Sequence, residues 1–515
     1  MSGKPTVLLV LLLLGRIALA QGLHGTARDS VTRRPVPGVV VTLLDSANGT
    51  LGRFITNERG EFRVPVIIGV HQLRAQRLGF RMREQTIPGR DSTVDIILAP
   101  LPSLLQPVRV TANANCPRNR REQEAFGLLE QARAGLLNTV VARETKPGKL
   151  VRLEYQRHFD FRGNVENQEV RRDTATSTVS FHAARTGADF VKLGFAGPDT
   201  TYGVDADVLL DDDFAAGYCF RISDPDKARA NQVGLAFFAP RRKSGRVDID
   251  GVLWIDTVSR TLRDMEFRYV GPDIRGEPPI GRTTFREMAN GVVLIENWSA
   301  KLRSFEGGGI LAQASWPDST SYRAPLGQIR GKVRLNGTDT VIAGAAIRLA
   351  ETNYVAISDS TGQFAISQLM PGPYSLQVLD PELYTLDILP PPSLLFTVVG
   401  DSIIETDVKV GRIDDYIWNL CGRDKFPKKP VMLLGRVMDE NDTPIGGATV
   451  HFSHLGMYVG SGETGADGVF ELCMSPDHDQ DAILISVSRT GYDGIAATRV
   501  VGLKPTTLKI VIKKR

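Results

Sequence analysis

The chain has 515 residues, of which 42% are hydrophobic and 23% are charged. This composition is ordinary for a globular protein, and the length suits three to four domains. The net charge of +4 falls to +2 without Lys4 and Arg16, which lie in a segment that we expect to be removed. A chain so close to neutral gives no reason to expect a nucleic acid or an anionic membrane surface as its partner.

Residues 1–20 have the features of a secretory signal peptide. Lys4 supplies a positive charge, residues 7–14 form an apolar run, and residues 18–20 read Ala-Leu-Ala, which suits a cleavage site. The apolar run is too short to span a bilayer, and no later stretch is long and apolar enough to do so. Gln21 stands where a lipoprotein would have cysteine. We therefore predict an exported protein without a transmembrane segment, located in the periplasm, at the outer membrane or outside the cell.

Three segments of the chain share one pattern of glycines. Each opens with a Gly-x-Val or Gly-x-Ala triplet, places a second glycine before a strand-like run, and ends a turn with Gly-x-Phe. The opening glycines are Gly25, Gly331 and Gly435, the second glycines are Gly38, Gly344 and Gly447, and the turn glycines are Gly60, Gly362 and Gly468. The first step spans 13, 13 and 12 residues and the second step spans 22, 18 and 21 residues. This regularity indicates an internal repeat.

The repeated pattern predicts a set of strands joined by hairpin turns. The residues after each second glycine include β-branched runs suited to strands, and that glycine lets the chain bend with positive φ. Asn57 and Asp359 begin turns in which the side chain bonds its own backbone, and the turn glycine takes the left-handed position. The aromatic residue two positions after the turn glycine returns to a strand, so we expect it in the core.

The three segments resemble the carboxypeptidase regulatory-like domain, a small transthyretin-like sandwich of about seven strands. The matching features are the opening triplet, the strand after the second glycine, the Gly-x-Phe turn and, in the first and third segments, a later Gly79-Phe80 and Gly491-Tyr492. The resemblance implies a mainly β protein with three small antiparallel β-sandwiches of the transthyretin or carbohydrate-binding-like type. It marks a fold much better than a function.

The region between the first and second segments predicts a different domain. Apolar residues at helical spacing favour a helix from Glu122 to Leu137, and alternating patterns between Leu150 and Leu302 favour antiparallel strands. We therefore expect an α+β domain with one helix against a curved antiparallel sheet. It weakly resembles the half-barrel of periplasmic lipoprotein carriers, and an unclassified antiparallel domain is the alternative.

The predicted organisation follows from these segments, with a short last strand of the first sandwich at Val108–Val110. The predicted domains are a signal peptide at 1–20, a first sandwich at 21–110, the α+β domain at 111–325, a second sandwich at 326–411, a linker at 412–430 and a third sandwich at 431–515.

The four cysteines allow three disulfide pairings, and the sequence does not choose between them. Export permits disulfides, and our working assignment is Cys116 with Cys219 and Cys421 with Cys473. Their separations, about a hundred and about fifty residues, do not resemble a zinc site.

Two tryptophans are candidates for contact with a ligand, because exposed aromatic rings can stack on sugars. Trp316 and Trp418 lie in predicted linkers, whereas Trp254 and Trp298 lie in strand patterns and are expected in the core.

The sequence predicts no catalytic, cofactor-binding or metal site. None of the seven histidines has glutamate three residues later, as zinc carboxypeptidases require, and no nucleophile elbow, Walker loop or dinucleotide fingerprint occurs. The acidic run Asp211–Asp213 is expected to be a solvated loop.

These observations favour a non-catalytic interaction or scaffold protein of the envelope or the extracellular space, whose partner is an envelope protein or a glycan. A carbohydrate-binding protein is one alternative. A periplasmic carrier of lipid or lipoprotein, using an apolar cavity in the middle domain, is another. A hydrolase assembled from distant residues is the remaining class.

Overall fold

The computed structural model describes most of the chain and divides it into two compact units, Met1–Ala324 and Pro325–Arg515. The described residues are 22–87, 93–105, 116, 121–176, 186–195, 202–225, 227–240, 246–271, 278–302, 304–318, 320–379, 394–411, 413–502 and 506–515. The predicted signal peptide at 1–20 and the predicted strand at Val108–Val110 lie outside these residues.

The described residues of the first sandwich form seven strands in two sheets. The strands are β1 (Gly22–Asp29), β2 (Val40–Leu44), β3 (Thr50–Ile55), β4 (Glu61–Pro65), β5 (Gln72–Gln76), β6 (Arg83–Thr86) and β7 (Thr93–Leu98). One sheet has the order β4-β1-β7 and the other has the order β3-β2-β5-β6. Alternating residues of both sheets, among them Phe62, Leu73 and Ile96, form a closed core.

Ten strands in the described part of the middle region form one antiparallel sheet. They are β8 (Lys149–Phe159), β9 (Val165–Thr176), β10 (Cys219–Ser223), β11 (Gln232–Phe238), β12 (Asp248–Asp256), β13 (Thr261–Val270), β14 (Ile280–Glu287), β15 (Val293–Leu302), β16 (Phe305–Ser315) and β17 (Ser321–Arg323). The order is β10-β11-β12-β13-β14-β15-β16-β8-β9, and β17 pairs with β16.

The second and third sandwiches repeat the two-sheet arrangement of the first. The second contains β18 (Gly327–Leu335), β19 (Ala346–Leu349), β20 (Val355–Ile357), β21 (Gln363–Leu369), β22 (Gly372–Leu379), β23 (Leu394–Val398), β24 (Ile403–Glu405) and β25 (Val408–Val410). The third contains β26 (Val431–Met438), β27 (Thr449–His454), β28 (Met457–Glu463), β29 (Val469–Met474), β30 (Ala482–Ser488), β31 (Ile495–Val500) and β32 (Thr506–Val511). The four-stranded sheets run β20-β19-β22-β23 and β28-β27-β30-β31. The mainly β fold class is thus confirmed.

The sandwiches are not wholly antiparallel, which corrects the prediction. In each one the first strand pairs in parallel with the strand or strands that end the module, as β1 does with β7 and β26 with β32. In the second sandwich β18 pairs in parallel with both β24 and β25. The repeat pattern could not reveal this, because turn signals locate strands but do not determine which distant strands become neighbours.

The second and turn glycines have the positive φ that the pattern predicted. The second glycines Gly38, Gly344 and Gly447 have φ of 70°, 77° and 65°, and the turn glycines Gly60, Gly362 and Gly468 have φ of 71°, 75° and 75°. Other side chains are strained in this left-handed region.

The opening glycines serve a different purpose, since each lies within a strand and directly opposite the aromatic residue of the turn. Gly25 is paired with Phe62, Gly331 with Phe364 and Gly435 with Phe470. A Cβ atom at these glycines would lie 2.8, 3.3 and 2.2 Å from the facing ring. At Gly25 and Gly331 the Cβ atom would lie even closer to a backbone carbonyl, that of Val94 (1.9 Å) or Thr406 (1.6 Å), and at Gly435 the ring itself is the nearest group. The facing ring and the neighbouring backbone together leave no room for a side chain at these positions.

A buried threonine or serine hydroxyl bonds two backbone groups at the bend of each sandwich, an arrangement that we call the hydroxyl clamp. The hydroxyl of Thr464 donates to the carbonyl of Ile445 (2.7 Å) and accepts from the N–H of Ala448 (2.9 Å). Thr56 makes the corresponding bonds to Val36 and Val39, and Ser358 makes them to Ile342 and Ala345. These hydroxyl residues were not predicted from the sequence. Their identical bonds show that the third segment has the same local structure as the first two.

The described residues of the middle region include four α-helices, so the prediction of one helix was incomplete. They are α1 (Glu122–Thr145), α2 (Gly187–Leu193), α3 (Ala206–Leu210) and α4 (Asp212–Gly217). Helix α1 begins where predicted and continues two turns beyond Leu137, because Val141 and Ala142 are buried in a second cluster with residues of the first sandwich and the sheet. Helices α2 to α4 have seven residues or fewer, which is too short for periodicity to identify.

The first sandwich is bonded to helix α1 and to the turn between β14 and β15. The buried amide of Asn138 donates to the carbonyls of Gly38 (3.0 Å) and Gly291 (2.7 Å) and accepts from the N–H of Val293 (2.9 Å). Arg77 forms a half-buried ion pair with Glu287 (2.7 Å). One bend glycine of the sandwich is thus part of its junction with the middle region.

The segment predicted as a linker, residues 412–430, contains helix α5 (Ile413–Leu420). Ile417 and Cys421 pack with Ala346 of the second sandwich and Met432 of the third. Unit 2 therefore has a small hydrophobic cluster between its two sandwiches.

Candidate functional site

An open groove of about 700 Å³ crosses strands β10 to β14 on the face of the large sheet opposite the helices. Cross-strand register aligns its first row of residues, which is Arg221, Ala236, Val252, Glu266 and Arg282. A second row consists of Phe238, Asp250, Arg268 and Ile280. The short side chains of Ala236 and Val252 lie between longer charged ones, which makes a depression in the sheet surface.

Two glycines lie in the strands beneath the groove. Gly251 is opposite Phe237 and Gly281 is opposite Phe267, and a Cβ atom at either would lie 2.3 or 2.2 Å from the facing ring. These rings belong to the main core, whose members include Leu253, Met265 and Tyr269. The arrangement repeats the glycine–phenylalanine pairing of the sandwiches and packs the rings close to the backbone.

Balanced charges dominate one side of the groove. Arg229, in a 3₁₀ turn before β11, bonds Asp264 (2.9 and 3.1 Å) and Glu266 (2.8 Å), and its guanidinium lies 4.5 Å from the ring centroid of Trp254. The hydrogen bond to Asp264 raises the pKa of Arg229. Arg282 approaches Glu266 at 3.7 Å. Arg229 bonds mainly to Asp264 and is largely covered. Glu266 and Arg282 are about half-exposed, so they are the more accessible members of this network.

The other side of the groove combines a looser ion pair with an aromatic ring. Arg268 lies 3.5 Å from Asp250, and more than half of its side chain is exposed. The guanidinium of Arg221 lies 5.4 Å from the ring centroid of Phe238. Exposed pairs of this kind contribute little to stability, so these groups can exchange partners at low cost. Among the described residues that line the groove there is no serine, cysteine or histidine to act as a nucleophile or base.

The disulfides have the pairing of our working assignment. Cys116 is bonded to Cys219 and Cys421 to Cys473, with no free cysteine in the described part of the chain. The first joins the segment before α1 to the first strand of the groove. The second joins the end of α5 to the third sandwich.

The two tryptophans that the sequence offered for ligand contact have different environments. Trp316 is buried in a core cluster and its indole N–H donates to the carbonyl of Lys146 (3.1 Å), so the prediction that it faces a ligand was wrong. Trp418 is half-buried, donates to the carbonyl of Phe426 (2.8 Å) and has Arg423 over its ring at 4.9 Å. That Trp418 contacts a ligand therefore stays a prediction.

The acidic run at Asp211–Asp213 is not a loop, because Asp211 lies between α3 and α4 and the next two residues begin α4. The side chains of Asp212 and Asp213 are exposed, so only the loop part of the expectation was wrong. Asp211 caps α4 by accepting from the N–H of Asp213 (2.8 Å), and Asp205 caps α3 by accepting from Val208 (3.0 Å). Asp212 pairs with Arg133 of α1. Asp205 and Asp211 thus stabilise the starts of the two short helices.

The described residues offer neither a cluster of metal ligands nor a helix able to span a membrane. They contain no group of three or more histidine, cysteine or acidic side chains placed to hold a metal ion. No helix within them combines the length and apolar character needed to cross a membrane.

The comparison with protein families identifies two of the three sandwiches. The family described as the carboxypeptidase regulatory-like domain matches residues 22–99 and 328–388. Residues 431–515 lie outside these matches, and their likeness to the other two rests on strand order, glycine pairing and the hydroxyl clamp. No curated protein matches the chain significantly.

Solved structures show only distant likeness. The 3-chlorocatechol 1,2-dioxygenase of Rhodococcus opacus is 11% identical with a TM-score of 0.14, over 16% of this chain and 59% of that one. The Bacillus anthracis TIE protein is 12% identical with a TM-score of 0.15, over 60% and 62%. The shaft pilin SpaA of Lactobacillus rhamnosus is 9% identical with a TM-score of 0.15, over 37% and 98%. The chain thus spans under two thirds of the dioxygenase, and scores this low carry no argument about function.

Proposed function

Because this chain contains two carboxypeptidase regulatory-like domains, at residues 22–99 and 328–388, we propose that it is an exported, non-catalytic interaction protein. Its principal binding site is the groove across β10 to β14. The groove carries the proposal because it is open, mixes positive and negative groups, and lies on a continuous hydrogen-bonded sheet. The two disulfides support export, since such bonds persist in oxidising compartments.

The chemistry of the groove suits a polypeptide partner of the cell envelope. A protein segment carries carboxylates, ammonium or guanidinium groups and apolar side chains together. Arg268 and Arg282 can donate hydrogen bonds to its carboxylates. Asp250 and Glu266 can accept hydrogen bonds from its basic groups, and Ile280 offers an apolar contact at the rim. Arginine side chains can bind a carboxylate through two parallel hydrogen bonds, and arginine is therefore frequent at interfaces.

The alternative ligands fit the described residues less well. A lipid carrier needs an apolar cavity, but the helix-facing side of the sheet is filled by aromatic pairs, such as Phe190 on Phe195 and Phe214 on Tyr218, each 4.2 Å between ring centroids. A glycan site needs exposed aromatic rings on one face, whereas Trp254 and Trp316 are buried. These observations favour a protein partner over a lipid or a sugar.

Photo-crosslinking tests the proposal directly. A photoreactive amino acid at the exposed Ile280 of the full chain, expressed in the cells that export it, should give a discrete protein adduct. Reversing the groove charges with Arg268→Glu and Arg282→Glu should abolish that adduct. The matched control is Arg171→Glu with Arg172→Glu, which makes the same change on β9 at the far end of the sheet and should leave the adduct intact. Absence of an adduct, or one insensitive to the groove reversal, would refute the proposal.

A further inference from the structure

Strand β31 ends the four-stranded sheet of the third sandwich with an open edge. It pairs with β30 on one side, from Val487 opposite Ile495 to Ala482 opposite Val500. Within the described part of the chain no strand pairs with its other side. Five of its six residues are exposed and the sixth is half-buried. Its outer row of backbone donors and acceptors is therefore available to another strand.

Hydrogen bonds just beyond both ends hold β31 in place. At one end Asp493 donates from its N–H to the carbonyl of Lys513 (2.8 Å). At the other end Val501 donates to the carbonyl of Asp481 (3.0 Å), and Gln480 donates to Val501 (2.8 Å). A strand fixed in this way loses little conformational entropy when it pairs.

The equivalent edge of the first sandwich is protected, which makes the exposure of β31 informative. That edge is β6, which has four residues and carries the charges of Arg83 and Glu84. Strand β31 has six residues, no proline and a single charge, Arg499. Short length and charge are the devices by which proteins block edge pairing, and β31 has little of either.

We propose that β31 pairs antiparallel with β31 of a second copy of this chain, joining two four-stranded sheets into one of eight strands. A two-fold axis perpendicular to the sheet keeps both outward faces on the same side, so residues that face outward must lie opposite residues that also face outward. Thr498 and Val500 face outward, since their partners Leu484 and Ala482 do so on β30. Centring the axis on Thr498 satisfies this condition.

The charges of that register favour the second copy as the occupant. Thr498 lies opposite Thr498 of the other copy, a pair that stabilises antiparallel strands. Ala496 lies opposite Val500, and Arg499 lies opposite Ala497, so the only charged residue of the strand never faces itself. Val500, which is 59% exposed, gains cover from Ala496 of the added strand.

The expected dimer is weak, because a single strand pair is smaller than a standard interface. We therefore expect dissociation constants in the micromolar range and a clear dependence on concentration. This self-association lies in unit 2 and does not depend on the groove of unit 1, so either proposal can fail without the other.

A charge-swap experiment on the full exported chain tests the pairing, with sedimentation velocity as the readout. Thr498→Lys and Thr498→Glu each put like charges opposite one another, and each should weaken dimerisation about tenfold or more. An equal mixture of the two variants should dimerise at least as well as the original chain, because opposite charges then face each other. A different protein as the occupant of the edge would not produce this recovery.

The matched controls are Ser461→Lys and Ser461→Glu, which place the same charges on the exposed strand β28 at the opposite edge of the sheet. They should leave dimerisation unchanged, and circular dichroism should show that all variants are folded. A chain that remains monomeric up to millimolar concentration overturns the proposal. So does a dimer that both Thr498 variants leave intact, or one that the mixture does not restore.

Discussion

Replacing Thr464 with valine should destabilise the third sandwich by about 2 to 4 kcal/mol. Valine has nearly the shape of threonine, so the substitution leaves no cavity. It does remove the hydroxyl that donates to the carbonyl of Ile445 and accepts from the N–H of Ala448. Thr464 is only 5% exposed, so water cannot replace the lost bonds. Each unsatisfied backbone group costs about 1 to 3 kcal/mol, and the lower half of that range for the two groups gives the expected loss of about 2 to 4 kcal/mol.

Calorimetry and urea unfolding of the full exported chain should detect this loss. For a unit of the size of Pro325–Arg515, the expected change lowers the midpoint by roughly 5 to 15 °C. The transition of the other unit should not move. Thr464→Ser is the matched control because it keeps the hydroxyl and both bonds, and it should retain most of the stability.

The same substitution in the first sandwich gives an independent check. Thr56→Val removes the bonds to Val36 and Val39 and should lower the transition of the first unit by a similar amount. The reasoning would be refuted if Thr464→Val were as stable as Thr464→Ser, or if the two valine variants affected the same transition.

Three further predictions concern a junction, a glycine and a turn. Asn138→Ala leaves the carbonyls of Gly38 and Gly291 without their amide donor and should cost about 2 to 4 kcal/mol in urea unfolding of the first unit; an unchanged midpoint would contradict this. Gly281→Ala places a Cβ atom 2.2 Å from the ring of Phe267 and should cost about 1 to 3 kcal/mol, which Phe267→Leu should partly relieve in a double-mutant cycle. The hydroxyl of Thr361 and nearby backbone N–H groups lower the pKa of Asp359 below its usual 3.8, so its carboxylate stabilises the fold fully above that pH and loses this effect as the pH falls through the lowered value. Acid titrations should therefore show that Asp359→Asn is less stable than the original chain at neutral pH and that the difference disappears in strong acid.

Helix α1 illustrates where local pattern stops predicting structure. Its start at Glu122 was predicted, but its last two turns contain Asn138, Val140 and Val141, which have low helix propensity. These residues remain helical because Asn138 bonds the first sandwich and Val141 is buried against it. Tertiary contacts with residues a hundred positions away thus extend the helix beyond its local signal.

The groove was not predicted, and the reason is its geometry. Its lining residues come from five strands between Arg221 and Arg282. Each strand pattern separates inward from outward residues, but none of them states the register with its neighbours. Only that register aligns Val252 with Glu266 and Glu266 with Arg282. The prediction for Trp316 was also wrong. Its linker-like sequence suggested an exposed side chain, but residues of a hydrophobic core cover it.

The sequence by itself determined what depends on a few adjacent residues. The bend and turn glycines, such as Gly60 and Gly468, follow from a local need for positive φ, and they were sufficient to reveal three repeated modules. Tertiary structure alone decided the parallel pairing of first and last strands, the clamp at Thr464, the glycine at position 435 beneath Phe470, the open edge at β31 and the groove. These features join residues that are distant in the chain, and their energies arise only after the strands have packed together.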